Sequence, residues 1–497
     1  MPYRHKEEET LIQQPDNPDT DNLITLTLTQ QPDNTDPVTR YKMSKSYEEF
    51  ANRAGIDVKG YQVEGVSWCI EREQGAECLG GIVADEMGLG KTIMMISLLI
   101  LNFVPRTLII VPPPLISQWE SEIYRTTGHR AFVYHGSNKK ELRANPSTYY
   151  PIVIATYAAI AESKKGQLDR LHNTVWDRVI FDEAHHLRNS GCNLNGARLL
   201  KATRRWFITG TPIQNSAKDF MNLCSALHVP ASLSLQEIVA TYLLRRTKKD
   251  VGIILPPVTM QNVTVPWISK KEKRLASLVH LGAVFGGGIK IQQMLRSRQM
   301  CIYPPILQKL DLSSDYDYLD ECSSKMDVVV QTLLERQGNG NGKLVFCHFR
   351  EEIEVLVERL TGRSTCAGDR IKVAVYDGTT SKKDKLQILQ KDNECEVLIL
   401  QIQTGCEGLN LQHGFNEVYF VSPHWNPAVE DQAVARCHRI GQEKEVFVFR
   451  FRMDSYCEKK EEKEGEKGEG EGGDVIESYI NDVQTRKREI YKVIDVN

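Results

Sequence analysis

The sequence lacks the signatures of zinc modules, membrane proteins and secreted proteins. Its twelve cysteines include no Cys-x-x-Cys pair, which argues against zinc fingers and favours free thiols in a reducing compartment over a disulfide framework. The longest apolar run, residues 93–101, is interrupted by Ser97 and is too short to cross a membrane. Residues 1–9 are charged and have no apolar signal-peptide segment. We therefore expect a protein that is neither secreted nor bound to a membrane.

A large excess of positive charge is also absent. The chain has 62 Lys and Arg against 65 Asp and Glu, a net charge of −3, so any nucleic-acid contact has to come from a local patch. Residues 245–309 are such a patch, because they hold twelve Lys and Arg against only Asp250 and Glu272, a net +10 that leaves −13 for the remainder. The alternative is a solvated helical protrusion without a specific partner.

The length of 497 residues predicts about three domains at about 150 residues each. We expect a disordered acidic tail at 1–46, a first lobe at 47–244, a basic linker with a helical protrusion at 245–325 and a second lobe at 326–497. Residues 458–473 consist of seven Glu, four Lys and five Gly, a composition that predicts a solvated insertion.

Short β-branched runs alternate with amphipathic stretches along both lobes, the pattern of parallel sheets covered by helices. The fold class we predict is α/β, with two doubly wound lobes in tandem. The strands are expected at 81–84, 107–111, 152–156, 178–181 and 206–209 in the first lobe, and at 343–347, 371–376, 397–401, 417–421 and 445–451 in the second.

A glycine-rich segment, residues 85–92, follows the first strand and opens an apolar helix, which is the context of a phosphate-binding loop. Lys91 would reach the β- and γ-phosphates of ATP, and the Thr92 hydroxyl would bind Mg²⁺. The strict pattern requires Gly where Asp85 stands, and the alternative is a plain strand-to-helix turn. The predicted ATP-binding residues of this loop are Asp85, Glu86, Met87, Gly88, Leu89, Gly90, Lys91 and Thr92.

Two further groups of residues suit phosphoryl transfer. Asp182 and Glu183 close a buried strand, where Asp182 can hold Mg²⁺ and Glu183 can orient the attacking water; the alternative is a solvated strand end. Arg436 and Arg439 lie three residues apart on a predicted helical face, and they suit the charge that develops on a transferred phosphate. Alone, such an arginine pair is more often salt-bridged or solvated.

Taken together, these blocks resemble the Swi/Snf-type ATPases, the superfamily-two, helicase-like group of double-stranded-DNA translocases. The resemblance covers roughly residues 55–457 and includes the segments 60–68, 85–92, 117–119, 155–157, 182–185, 209–215, 244–250, 408–411, 425–427 and 438–442. It implies RecA-like lobes, ATP and Mg²⁺ as cofactors, and a minimal motor without targeting modules. It also implies nucleotide binding by Gln62, which would read adenine, and by Gln442. The DNA-binding residues it implies are Ser117, Gln118, Thr156, Gln403, Thr404 and Trp425.

Two features of the second lobe weaken the DNA assignments. Residues 403–407, which end in Glu407, replace a stretch in which the family usually has one lysine, so a basic group is lost. Trp425 beside Asn-Pro is more typical of a packed loop anchor than of a base-stacking residue.

The resemblance implies an ATP-dependent translocase on double-stranded DNA that displaces DNA-bound proteins such as nucleosomes or a polymerase. We expect a monomeric motor in the nucleus, or wherever the DNA is, including a viral replication site. The alternatives are a strand-separating helicase, a catalytically silent DNA- or partner-binding scaffold, and an NTPase that acts on proteins.

Overall fold

The computed structural model describes residues 37–75, 79–140, 150–162, 168–214, 216–285, 291–310, 323–362, 371–381, 384, 387–388, 395–405, 409–456 and 475–492. The first 36 residues of the predicted tail and the insertion 458–473 lie outside these ranges, as do Glu407 and, of the resembling segments, Asn215 and Gly408. Among the described residues, no helix is long and apolar enough to cross a membrane.

The first lobe is built on a seven-stranded parallel sheet with the strand order β3-β4-β2-β5-β6-β1-β7. Because all strands run the same way, their carboxyl ends and the loops that follow them lie along one edge. The strands are β1 (Gly80–Val83), β2 (Thr107–Val111), β3 (Phe132–Tyr134), β4 (Ile152–Thr156), β5 (Val175–Asp182), β6 (Lys201–Ile208) and β7 (Leu243–Leu244).

The second lobe has a six-stranded parallel sheet with the order β10-β11-β9-β12-β13-β8. Its strands are β8 (Val258–Val265), β9 (Lys343–Cys347), β10 (Val373–Tyr376), β11 (Val397–Gln401), β12 (Glu417–Phe420) and β13 (Val446–Met453). The prediction of two RecA-like α/β lobes is confirmed.

Helices cover both faces of each sheet, so that each lobe has two apolar cores. They are α1 (Pro37–Ala54), α2 (Gly60–Gln74), α3 (Lys91–Leu101), α4 (Ile116–Thr127), α5 (Tyr157–Ile160), α6 (Arg170–Asn173), α7 (Cys192–Leu199), α8 (Ala217–Leu227), α9 (Leu235–Tyr242), α10 (Lys270–Phe285), α11 (Ile291–Ile302), α12 (Ser324–Glu335), α13 (Arg350–Thr361), α14 (Ile402–Gly405), α15 (Pro427–Val434) and α16 (Ile476–Lys492).

The predicted disordered tail is wrong for residues 37–46, because α1 begins at Pro37. Tyr47 and Ala51 of this helix are buried in the core that covers one face of the first sheet, together with residues of α2 and α3. Burial of this apolar face stabilises α1 as a helix although its flanks are polar.

The predicted basic linker at 245–325 is divided differently in the structure, where two of its segments belong to the lobes. At its start, the backbone beyond β7 stays beside the first lobe, where Glu86 N donates to Arg246 O at 2.8 Å. Further along, β8 pairs with β13 over eight residues and completes the second sheet. Only residues 249–257 are left as a tether between the lobes, and the protrusion is reduced to α10 and α11, which pack on each other and on the second lobe.

Candidate active site

The loop of residues 85–90 carries the chain from the end of β1 into α3. Gly88 and Gly90 have φ angles of 92° and 80°, and a Cβ on Gly90 would collide with the amide of Gln62, so glycine is required there. Among the described residues, no side chain caps the start of α3 and its first turn has no acidic residue. The N–H groups at this helix terminus therefore favour an anion such as a phosphate.

Lys91 is the first residue of α3, and its ammonium group folds back over the loop. The Nζ atom donates to the carbonyl oxygen of Asp85 at 2.6 Å and to that of Glu86 at 3.2 Å. It also lies 3.7 Å from the position that a Cβ would take on Gly210, just beyond β6. Burial lowers the pKa of Lys91, although the neighbouring carboxylates, Glu183 foremost, oppose this shift. The lysine thus lies where the carboxyl ends of β1, β5 and β6 converge.

Asp182 and Glu183 lie at the carboxyl end of β5, as predicted, and their surroundings differ. Asp182 Oδ1 accepts the N–H of Glu183 at 2.9 Å, and Oδ2 accepts the indole N–H of Trp119 at 2.6 Å. Burial and the charge of Glu183 raise the pKa of Asp182. Burial would also raise the pKa of Glu183, but His185, whose Nδ1 lies 3.3 Å from Oε2, and the positive charge of Lys91 lower it.

The backbone at Glu183 is strained, because its φ of 49° lies in the left-handed region that non-glycine residues seldom adopt. Its Oε2 atom is buried and has no hydrogen-bond donor among the described residues.

Carboxylate and hydroxyl oxygens are the ligands that Mg²⁺ prefers. Asp182, together with the half-buried Thr92, therefore fits a magnesium ion held beside a bound nucleotide.

Arg436 and Arg439 come from the second lobe, as predicted, but not from a helix. Helix α15 ends at Val434, and the arginines follow in a turn where Arg436 Nε donates to the carbonyl of Gln432 at 3.1 Å. The charge of Arg436 contributes to the lowered pKa of Glu183. Burial, followed by the charge of Arg436, lowers the pKa of Arg439 to about 10.

The two lobes face each other directly at this site. A Cβ placed on Gly88 would lie 3.6 Å from the Cβ of Arg439, so the arginine turn packs against the glycine-rich loop. Asn426 Nδ2 donates to Gln214 Oε1 of the first lobe at 3.0 Å. Beside these contacts lies a cleft of about 610 Å³, lined by residues of both lobes that include Met87 and His438.

The carboxylates of Asp85 and Glu86, which are predicted to bind ATP, form ion pairs with basic side chains of the segment beyond β7. Arg246 holds Asp85 through Nε–Oδ1 at 3.1 Å and Nη2–Oδ2 at 2.5 Å, and Lys248 Nζ lies 2.8 Å from Glu86 Oε1. Free carboxylates in this loop would repel a phosphate. Their pairing leaves only the backbone of these two residues for the nucleotide.

Arg246 is the residue that the sequence analysis missed at this site. Besides Asp85, it donates to the carbonyl oxygen of Tyr61, and its guanidinium lies 5.6 Å from the centre of the Tyr61 ring. The sequence could have indicated Arg246 through Asp85. A buried carboxylate in the loop requires a cation, and the run of residues 244–250 supplies one.

Gln62 and Gln442, the two remaining predicted nucleotide ligands, bind protein groups. Gln62 accepts the Tyr47 hydroxyl at 3.3 Å and donates to Leu89 O at 3.1 Å, which braces the loop; adenine recognition by Gln62 stays a prediction. The Nε2 of Gln442 donates to the carbonyl oxygens of Gln412, Phe415 and Cys437, while its Oε1 accepts two backbone N–H groups. These bonds engage the whole amide of Gln442, so ATP binding by Gln442 would require some of them to break, and it stays a prediction.

The predicted DNA residues of the first lobe follow two strand ends. Ser117 is exposed in the first turn of α4 beyond β2. Gln118 beside it is half-buried, and its Oε1 has no donor among the described residues. Thr156, the last residue of β4, is only 2% exposed, so its side chain is a poor candidate for a phosphate contact without movement of the chain.

The predicted DNA residues of the second lobe differ in exposure and packing. Gln403 is exposed in α14, directly after β11, whereas the side chain of Thr404 lies outside the part of the chain that is described. Trp425 is half-buried against the second-lobe core and makes an edge contact with Tyr479 of α16 at 6.2 Å. Its packing agrees with the loop-anchor alternative and not with base stacking.

Two domain families match the chain: the SNF2-related domain at residues 61–233 and the helicase conserved C-terminal domain at residues 324–441. The matches correspond to the first lobe and to the second lobe through the arginine turn.

Curated relatives match most of this chain. The ISWI chromatin-remodeling complex ATPase ISW1 of Saccharomyces cerevisiae is 28% identical over 81% of this chain and 39% of its own length. The ATP-dependent DNA helicase DDM1 of Arabidopsis thaliana is 28% identical over 80% of this chain and 59% of its own length. A solved structure, the Sulfolobus solfataricus SWI2/SNF2 ATPase core in complex with dsDNA, is 24% identical, with a TM-score of 0.38 and coverage of 80% of this chain and 88% of that one. The chain thus spans about two fifths of ISW1 and three fifths of DDM1.

Proposed function

We propose that this chain, a member of the SWI2/SNF2-type ATPases, uses ATP hydrolysis to move along double-stranded DNA and to displace or remodel proteins bound to it. The observation that carries the proposal is the meeting of two half-sites in one cleft. Lys91, Asp182 and Glu183 come from the first lobe, and Arg436 of the second lobe lies close enough to affect the pKa of Glu183. Because the site is complete only when the lobes are closed, turnover is coupled to their relative movement.

Each residue has a separate part in hydrolysis. Lys91 releases the loop carbonyls to bind the β- and γ-phosphates, and Glu183 orients the attacking water. Arg436 and Arg439 stabilise the charge that develops on the transferred phosphate. Thr92 and Asp182 would hold a magnesium ion, which would neutralise further phosphate charge.

Lobe movement becomes translocation when each lobe also holds the DNA backbone. Exposed polar residues follow a strand end in both lobes, Ser117 beyond β2 and Gln403 beyond β11. Contacts of this kind fix position on a duplex without reading its sequence. The names of the relatives, a chromatin-remodeling ATPase and a DNA helicase, support a DNA track.

The basic segment contributes less free charge than its composition indicates. Arg246 and Lys248 are paired with the loop carboxylates, and Arg298 is buried in the second lobe, where Nε lies 3.4 Å from the Ser422 hydroxyl. Lys270 and Arg274 at the start of α10 are exposed. We therefore propose that the attraction to phosphates resides at this end of α10.

The natural partners would be DNA-bound proteins such as nucleosomes or a polymerase, and the protein would act as a monomer in the nucleus or another DNA-containing compartment. The two lobes supply both halves of the site within one chain, so a second copy is not needed for hydrolysis.

The test compares ATP turnover with duplex DNA, single-stranded DNA, RNA or no nucleic acid, together with two strand-displacement substrates. We expect duplex DNA to stimulate turnover most strongly, and ATP to drive displacement of a third strand from a triplex while a forked duplex remains annealed. Lys91→Ala is the control that binds the same DNA without hydrolysis.

Three outcomes decide between the alternatives. Separation of the forked duplex without triplex displacement would identify a strand-separating helicase. Equal turnover with and without nucleic acid would remove the motor proposal and favour an NTPase that acts on proteins. DNA binding with no ATP turnover at all would identify a scaffold.

A further inference from the structure

Two aromatic side chains hold Asp182 from opposite ends of the residue. The indole Nε1 of Trp119 donates to the carboxylate Oδ2 at 2.6 Å, and the hydroxyl of Tyr157 donates to the Asp182 carbonyl oxygen at 2.7 Å. Trp119 is 1% exposed and Tyr157 is 5% exposed, so packing limits both rings to one position. Asp182 therefore depends on these two rings for its orientation.

Each ring directly follows a residue that the family resemblance implies in DNA binding. Trp119 comes after Gln118 in the first turn of α4, and Tyr157 comes after Thr156 as the first residue of α5. The Tyr157 ring also lies 5.1 Å from the ring of His186, in the turn beyond Asp182. A movement of either chain segment would therefore displace one buried side chain that is hydrogen-bonded to Asp182.

We infer that Trp119 and Tyr157 are positioning residues that couple occupancy of the DNA track to the orientation of Asp182, and so to the affinity for ATP with magnesium. This inference rests on the proposed function, because it requires that DNA binding stimulates the ATPase.

The physical basis is reciprocal linkage between two sites. If DNA binding moves the α4 and α5 starts so that Asp182 is better aligned, DNA raises the affinity for magnesium-ATP, and magnesium-ATP raises the affinity for DNA by the same factor. Residues that orient a metal-binding carboxylate commonly affect metal affinity by 10- to 100-fold.

The test uses substitutions that remove one hydrogen bond and retain a ring. Trp119→Phe removes the indole N–H, and Tyr157→Phe removes the hydroxyl. The first lobe offers matched controls away from the site: Trp176, whose Nε1 donates to Leu171 O at 2.9 Å, and Tyr134, whose hydroxyl donates to Asp169 at 2.8 Å. Trp176→Phe and Tyr134→Phe remove the same chemical groups from equally buried rings.

Binding is measured by calorimetry in a Glu183→Gln background, which prevents hydrolysis. Titrations of ATP with and without magnesium, each in the presence and absence of duplex DNA, give the factor by which DNA changes nucleotide affinity. We call this ratio the DNA factor. We expect Trp119→Phe and Tyr157→Phe to weaken magnesium-dependent ATP affinity at least tenfold and to bring the DNA factor close to one. ATP affinity without magnesium should stay within about twofold, because the loop and Lys91 are intact. The two controls should retain the DNA factor.

The outcomes separate this inference from the function on which it rests. If the parent protein shows no DNA factor and no DNA-stimulated turnover, the proposed function fails first. If the parent shows both, and Trp119→Phe and Tyr157→Phe retain the DNA factor at parental size, the inference is wrong and the two bonds only satisfy buried groups. A loss of the factor in the controls as well would likewise overturn it, since any loosening of the lobe would then suffice.

Discussion

The ion pair between Asp85 and Arg246 provides a strict test of the site, because it joins the phosphate loop to the segment beyond β7. The Asp85 side chain is fully buried and that of Arg246 is 14% exposed. Arg246→Met would retain most of the apolar volume but leave the carboxylate without its cation and the Tyr61 carbonyl without a donor. Loss of one partner from a buried pair costs about 3–5 kcal/mol.

We expect Arg246→Met to lower the free energy of unfolding of the first lobe by about that amount, and also to weaken ATP binding. The second effect follows because the Asp85 carbonyl oxygen holds Lys91 at 2.6 Å, so movement of Asp85 displaces the lysine. Urea unfolding, followed by tryptophan fluorescence, measures the first effect, and calorimetric titration with ATP measures the second.

A double-mutant cycle isolates the pair from other effects of the substitution. Asp85→Asn removes the charge, so Asp85→Asn combined with Arg246→Met should be more stable than Arg246→Met alone, with a coupling energy at the upper end of the range of about 0.5–3 kcal/mol. Arg106→Met is the control, since it breaks a two-bond pair with Asp177 that is partly exposed and contributes little. Additive effects in the cycle, or an unchanged ATP affinity in Arg246→Met, would refute the assignment of Arg246 as the brace of the loop.

Four further variants test the remaining roles. Glu183→Gln should bind ATP at parental affinity and hydrolyse none of it, because only the water-orienting carboxylate is removed; normal turnover would contradict that role. Arg436→Ala should lower kcat by up to about 10³ while nucleotide affinity stays within a few-fold, and a collapse of ATP binding would make the residue structural. Gln442→Ala should lower the melting temperature of the second lobe, because five bonds to the backbone are removed, and weaker ATP binding without that shift would identify Gln442 as a nucleotide ligand. Replacing Lys270 and Arg274 by Gln should reduce the slope of log DNA affinity against log salt by about 0.9 for each phosphate that is no longer neutralised, and an unchanged slope would exclude this end of α10 from DNA.

Sequence patterns predicted the central strands well and the edges poorly. The strands at 107–111, 152–156, 343–347 and 397–401 have the predicted bounds, because each is a run of apolar residues buried on both faces. Strand β8 was assigned to the linker, since only Val265 of Val258–Val265 is buried and half of its residues are polar, so the segment lacks the apolar run of a central strand. Its stability comes from pairing with β13, nearly 190 residues away in the chain, which local patterns do not report.

Prediction of the site residues from the sequence was similarly uneven. Lys91, Asp182 and Glu183 could be located because each follows a recognisable strand end. The helical prediction for Arg436 and Arg439 failed, because the backbone there bonds outside the helix: Leu411 N donates to Arg436 O at 3.0 Å. The aromatic partners of Asp182 were also beyond prediction, since Trp119 is 63 residues away from it and an apolar context predicts only burial.

The short tether of residues 249–257 sets a limit on how far the two halves of the site can separate. Nine residues span at most about 30 Å when fully extended. The carbonyl oxygen of Pro256, near the end of the tether, lies 2.9 Å from Nε2 of His438. His438 is two positions after Arg436 in the chain. Because the tether is short, Arg436 meets the nucleotide at an effective concentration in the millimolar range, whatever the concentration of the protein. Closure is therefore a unimolecular search over a few nanometres, and its rate should be independent of dilution.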